Sequence, residues 1–528
     1  MIKNLTILLI GLTLFVGCKQ STERAQQDEV VNQSYNEPHR PQFHFSPKAN
    51  WMNDPNGMYY YKGKYHLFYQ YFPDSIVWGP MHWGHAESND LLHWKQLPIA
   101  LFPDSLGYIF SGGAVVDKNN TSKFGTKDNP PIIATFTHHD IAGEKAKTND
   151  FQKQSIAYSL DGGYEWIKHT GNPVIQNTKK IKDFRDPKVV WHKPSQTWIL
   201  VLAAYDRVKF YASANLIDWE FLSDFGIEGD KRLWECPDLF PMKVEGTNEY
   251  KWILIVSIQK NAPNDGTATS YFIGDFDGTE FKSEGENQEW LDWGTDNYAF
   301  VTWNNIPKDD GRILGIGWMS NWQYAQIVPT EKWRSAMTLP RELTLVKSKS
   351  KYALHSLPIR EFQTLRGAST VLNQLEIIGE KVLEGSFSAS QVELDVTVDL
   401  KKTTANSFGI KLQNQLGENI LVRFDKMKGK MFVDRTNSRM HKFSEDFFKK
   451  IHSAPIDFEK EKMNIRLIID NSSVEIFINN GELSFTSIFF PSEEFNTISV
   501  LANNGTCNII NAEIHPLKSI WSKKEEDN

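Results

Sequence analysis

Four segments in the first half of the chain share one design: NDLLHWKQL (89–97), SLDGGYEWIKH (159–169), SANLIDWEFL (213–222) and DFDGTEFKS (275–283). Each is a polar turn containing Asp, followed by an aromatic residue. Ahead of each stands a pair of apolar, strand-like runs, such as MYYY with YHLFYQY and KVVWH with WILVLAAY. A fifth pair, YAFVTW and ILGIGWM, follows without a clear closing repeat. Strand, turn, strand and a last strand ending in an aromatic marker, recurring at roughly 50–70 residues, is the pattern of a β-propeller with elaborated blades. Five units fit between residues 41 and 345. The expected class is therefore all-β, built on a five-bladed β-propeller. A sandwich or a solenoid would not place long irregular stretches between otherwise similar units.

Beyond a connecting stretch at 346–366 the pattern becomes plain alternation. QVELDVTVDL puts Val392, Leu394, Val396 and Val398 on one face of a strand. NIRLIIDNSSVEIFINNGE shows two alternating runs around the polar turn Asp470-Asn471-Ser472-Ser473. Several such strands with few helical patterns between them predict a C-terminal β-sandwich over 367–520. Two domains also suit 528 residues, more than one ordinary core organises.

The N-terminus reads differently. Residues 1–18 carry one lysine and an apolar run too short to span a bilayer, the shape of a secretory signal peptide. The ending Phe15-Val16-Gly17-Cys18 resembles a bacterial lipobox, although the residue three before the cysteine is usually Leu. Cys18 is thus a candidate lipidation site and 19–40 a polar tether. That makes the membrane a partner through an N-terminal lipid anchor, and the chain an exported bacterial lipoprotein of the periplasm or cell surface. Cys236 and Cys507, one in each half, give no disulfide framework. With 58 Lys+Arg against 65 Asp+Glu and no basic block, nothing recommends nucleic acid as a partner.

Three acids occupy equivalent places in the repeat. Asp54 in WMNDPNG precedes the first strand of unit one, Asp186 in FRDP that of unit three, and Glu235 in WECPD that of unit four. Alone, Asp54 before Pro55 and Gly57 suits a type I turn. In a propeller, however, the first strand of every blade lines the axis, so the three carboxylates converge. Asp54 and Asp186 directly precede a proline, which is expected to hold their backbone extended. Carboxylates gathered for stability alone would repel and raise one another's pKa. As a catalytic set they make sense: one attacks, one donates a proton and one balances positive charge on a sugar.

Taken together, WMNDPNG, FSGGAV, FRDP, WECPD, DWGTDNYAF and WMSNWQYA with WRSAMTLPREL resemble glycoside hydrolase family 32, the β-fructofuranosidases, above all those acting on levan and inulin. The resemblance runs from Phe43 to the C-terminus and includes SSVEIFINNGE in the sandwich. It implies a retaining hydrolase that releases terminal fructose from levan, inulin and sucrose. Asp54 matches the nucleophile, Glu235 the general acid and base, and Asp186 the transition-state stabiliser. Asn53, Gln70, Trp78, Phe110, Ser111, Arg185 and Trp318 match positions that shape the pocket for the terminal fructose. One departure is FSGGAV where Phe-Ser-Gly-Ser is common, so Gly113 lacks a hydroxyl. The resemblance implies no cofactor and no metal; His82 and His85 in MHWGH imitate a metal pair without further ligands. Cys236 is expected to pack against the neighbouring strand. Rival readings are a fructosyltransferase using the same residues, and an arabinan or xylan hydrolase, which would lack the Trp-Met-Asn-Asp-Pro-Asn-Gly and Glu-Cys-Pro signatures. A non-catalytic glycan-binding surface lipoprotein is the third, and it should have lost one of the acids.

Overall fold

The innermost strand of a propeller blade is walled in by its neighbours on both sides, so it must be apolar, or internally paired, on both faces. The five runs found in the sequence meet that condition. The structure is a computed structural model that describes residues 35–285, 288–348 and 351–521. The proposed signal peptide, Cys18 and most of the tether lie outside the described residues.

Blade one comprises Asn50–Tyr61, Lys64–Phe72, His82–Ser88 and Trp94–Leu101, and blade two Tyr108–Val116, Ile132–His139, Gln152–Ser159 and Ile167–Lys168. Blade three comprises Phe184–His192, Thr197–Ala204, Arg207–Ser213 and Glu220–Gly226. Blade four is built on Trp234–Lys243, Tyr250–Ile258, Ala268–Phe276 and Phe281–Ser283, and blade five on Tyr298–Thr302, Ile313–Met319, Arg341–Ser348 and Lys351–Pro358. Each blade is antiparallel and follows chain order from the axis outward.

The aromatic markers have a structural reason. The indoles of Trp94, Trp166 and Trp219 each donate to a carbonyl three residues back, at 2.9, 2.9 and 3.1 Å. The turns before them are closed by Asx side chains: Asp90 accepts from the amides of Leu92 and His93, Asp161 from those of Tyr164 and Glu165, and Asn215 from those of Ile217 and Asp218. Such side chains satisfy backbone donors that a tight turn leaves open. Among the described residues, blade five ends on two strands paired directly with each other. The stretch 346–366, read as a connection, therefore contains the blade's outer strand, Lys351–Pro358, paired along its length with Arg341–Ser348.

The C-terminal sandwich carries its core where alternation put it, with Val392, Leu394, Val396 and Val398 all buried. Its spine is one long strand, Thr497–Pro516, whose first part pairs with Ser407–Gln413 and whose second part pairs with Val392–Asp399. It contacts the propeller through Ile468 and Phe477, but the seam is as much ionic as apolar. His44 lies between Asp470 and Glu475 at 2.7 and 3.0 Å, and Glu475 meets Arg341 of blade five, which also meets Asp292 at 2.9 Å. All five side chains are fully buried. Residues 35–40, assigned to the tether, are part of this body: Tyr35 stacks on Trp521 at 3.8 Å and the guanidinium of Arg40 lies 4.6 Å from the Trp333 ring.

Candidate active site

All five inner strands break register at the same depth. The irregularities fall between Met52 and Pro55, Ile109 and Gly112, Arg185 and Lys188, Glu235 and Asp238, and Tyr298 and Val301. A bulge inserts an extra residue and re-aims the side chains around it. Here the five bulges turn Asn53, Asp54, Ser111, Asp186, Glu235 and Tyr298 toward the axis. Three of them hold non-glycine residues in the left-handed region: Asp186 at φ 66°, Cys236 at 47° and Ala299 at 54°. The extended backbone expected before Pro187 is thus absent at Asp186, because the bulge overrides the proline's preference. The turn considered for Asp54 is likewise absent; 50–61 is one bulged strand.

The three acids meet at the floor of a cavity of about 250 Å³. Ser111 Oγ donates to Asp54 Oδ2 at 2.6 Å and Asn53 Nδ2 to Asp54 Oδ1 at 3.1 Å, while Trp51 Nε1 fixes Asn53 Oδ1 at 2.8 Å. Arg185 donates to Glu235 Oε1 through Nε at 3.1 Å and Nη2 at 2.6 Å, and to Asp183 through Nη1 at 2.6 Å. Tyr298 OH donates to the other oxygen of Glu235. Asp186 accepts from the amide of Cys236 at 3.1 Å, and its own amide is held by Thr137 Oγ1 at 3.0 Å.

Burial raises the Asp54 carboxyl above the usual range, opposed by the Ser111 hydrogen bond and reinforced by the charge of Glu235. Burial also lifts Asp186, to about 7; Arg185 opposes this, and Glu235 and Asp54 add to it. Cys236, expected only to pack, has its Sγ 3.4 Å from Asp54 Oδ2 and 3.7 Å from Asp186 Oδ2. Burial and the three carboxylates push its thiol well up, so it stays a neutral donor and not a nucleophile.

Asn53, Gln70, Trp78, Phe110, Ser111 and Arg185 line this cavity, as do the three acids. Trp318 does not. It lies inside the strand Ile313–Met319, fully buried, and its ring lies 4.8 Å from that of Trp322, which is the tryptophan that walls the cavity. Sequence reasoning also passed over His139, Glu144, Gln152, Asp183, Gln259 and Gln326 in the lining, and Tyr298 beneath it. Tyr298 and Trp322 were in view, inside DWGTDNYAF and WMSNWQYA. His139 carried no signal; its ring stacks on Phe110 at 4.1 Å and so stiffens a wall. His82 and His85 have separate neighbours: His82 bonds the Pro80 carbonyl at 2.9 Å, and His85 stacks on Phe68 at 4.0 Å and bonds His66.

Buried, bulge-aimed carboxylates at the closed end of a polar cup, with a phenol and a guanidinium on one of them, define a site for acid–base and nucleophilic work at a glycosidic bond. Two family models match the chain: "Glycosyl hydrolases family 32 N-terminal domain" over 44–358 and "Glycosyl hydrolases family 32 C terminal" over 361–516. The chain belongs to glycosyl hydrolases family 32 and is a glycoside hydrolase of the β-fructofuranosidase type. It is 44% identical to a levanase of Bacillus subtilis, over 98% of this chain and 76% of that one. An extracellular exo-inulinase of Aspergillus awamori is 36% identical over 93% of this chain and 96% of its own. The crystal structure of exo-inulinase from Aspergillus awamori superposes with a TM-score of 0.84 at 34% identity, covering 92% of this chain and 100% of that one. A fructofuranosidase from Schwanniomyces occidentalis complexed with fructosylnystose gives 0.82 at 30% identity, covering 92% and 98%.

Proposed function

We propose that the protein removes fructose one unit at a time from the non-reducing ends of β-fructans, levan and inulin, and cleaves sucrose by the same steps. Asp54 attacks the anomeric carbon to form a fructosyl ester while Glu235 gives its proton to the leaving oxygen. Water then enters, Glu235 takes its proton, and fructose leaves with its configuration retained. Ser111 and Asn53 hold Asp54 in line for attack. Asp186 accepts hydroxyls of the ring and faces the positive charge that develops on it. Asn53, Gln70, Trp78, Phe110, Ser111 and Arg185 form the cup around the terminal fructose, with Trp322 as its indole wall. The observation that carries the reading is the position of Asp54 and Glu235, on blades one and four, at the bottom of one cup of about 250 Å³, a space on the scale of a terminal sugar unit.

Chromatography of early digests of levan and inulin tests exo action. Free fructose is expected first, and a ladder of intermediate oligosaccharides would mean an open cleft. NMR of the first product is expected to show β-fructofuranose before mutarotation; α-product would sink the double displacement. The same reading includes export and lipid anchoring through Cys18. Cys18→Ser should keep activity and abolish membrane association, and retention in the detergent phase would refute lipidation.

A further inference from the structure

We propose that Arg435, a residue of the C-terminal sandwich, is a positioning residue for the sugar pocket of the propeller. The pocket wall made by Trp322 and Gln326 belongs to a loop that follows Ile313–Met319 and precedes Trp333–Arg334. Tyr324 stands midway between the two wall residues, and its side chain points the other way, into the domain seam. Its hydroxyl donates to Asp296 Oδ1 and receives Arg435 Nη2 at 2.8 Å. Arg435 Nη1 meets Asp296 Oδ2 at 2.6 Å and the Ile488 carbonyl at 2.9 Å, and its guanidinium lies 3.9 Å from the Phe447 ring. Arg435 and Asp296 are buried, so the pair is shielded from solvent and sets a fixed geometry.

Two parts of the site hang on this cluster. The loop is one, held on its other side by Arg334 bonding the Ala325 and Gln326 carbonyls. The second is the start of blade five, since Asp296 lies two residues before Tyr298, whose hydroxyl reaches Glu235. A sandwich that supplies no group to the cavity thereby fixes one wall of it. Without the link, Trp322 keeps its contacts with Trp51 and Trp318 but loses the brace on the far side of its loop.

This inference rests on the proposed reaction only for its kinetic arm. Tyr324→Phe removes the hydroxyl and leaves the Arg435–Asp296 pair; Arg435→Lys keeps the charge and loses the fork. Hydrogen exchange of the 320–328 segment, measured without substrate, should rise about tenfold in both variants with the melting temperature lowered by no more than a few degrees, the scale of one lost charge-assisted hydrogen bond. On sucrose both should raise KM about five- to tenfold with kcat within about twofold, and the double variant should be no worse than either single one. Unchanged exchange in both overturns the link. Loosened exchange with wild-type KM, or a fall in kcat that only tracks lost stability, overturns the positioning role. A wild-type protein inert toward fructosyl substrates would instead refute the proposed function, and the exchange arm would still read the link.

Discussion

Asp186 shows how much the pocket asks of single residues. Its carboxyl is buried beside two others, which lifts its pKa to about 7 from an unfolded value near 3.8. A raised carboxyl binds its proton more tightly folded than unfolded, so its contribution to stability is full below the unfolded value and is lost as pH rises to about 7. Asp186→Asn should therefore abolish hydrolysis yet flatten the fall in melting temperature between about pH 4 and 7; a variant with the wild-type slope would show that Asp186 does not carry it. Glu235 is separable by leaving group. Glu235→Ala should hurt sucrose more than fructosyl fluoride, which needs no proton to depart, by a factor on the order of 10². Equal losses would argue against Glu235 as the proton donor.

Among the elements, the inner strand of blade two gives the sharpest contrast. A Cβ on Gly112 would stand 2.0 Å from the Thr135 carbonyl oxygen, whereas one on Gly113 would meet the Lys188 side chain at 3.1 Å. Gly112→Ala must push the strand off its neighbour and carry Ser111 away from Asp54. A drop in kcat/KM on the order of 10² with lost stability is expected, while Gly113→Ala should cost under about 1 kcal/mol and little activity. Melting curves and sucrose kinetics of the two variants check this. The departure at Gly113 thus falls where an added methyl would meet a side chain, that of Lys188 paired with Asp238, and not a backbone. Blades were legible because Asx turns and indole markers are local devices that spacing reveals. Bulges were not, since an extra residue leaves no trace in an apolar run. Trp318 stands behind the wall and not in it for a related reason: which of two tryptophans faces a cavity depends on where the strand stops, and Met319 looks no different from a residue that continues it.

At the scale of the molecule, the seam between domains is a buried charge relay, and it titrates. Burial alone would lower the pKa of His44, but its hydrogen bonds to Asp470 and Glu475 outweigh that and hold it up to about 9. A histidine raised in the folded state stabilises fully below about 6.5, and that stability disappears as pH climbs through about 9. The melting temperature should fall between about pH 7 and 10, and His44→Gln, already destabilised, should fall less steeply. Parallel pH profiles for the two proteins would remove His44 from the account. The alternation of the sandwich strands cannot reveal that the chain's own residues 41–47 bring a cation to two acids.

The propeller is also a ring with one joint, because the four main strands of every blade come from a single stretch of chain and only a two-residue strand from the far end joins blade one. The joint between blades five and one is closed by the short parallel pairing of Trp333–Arg334 with Asn50–Trp51 and by Asn304, whose backbone bonds Met58 and Tyr60. Asp54 stands on one side of that joint and Tyr298, the partner of Glu235, on the other. The reach from nucleophile to acid is therefore a tolerance set where the circle shuts, much as the gap in a split washer sets its bore.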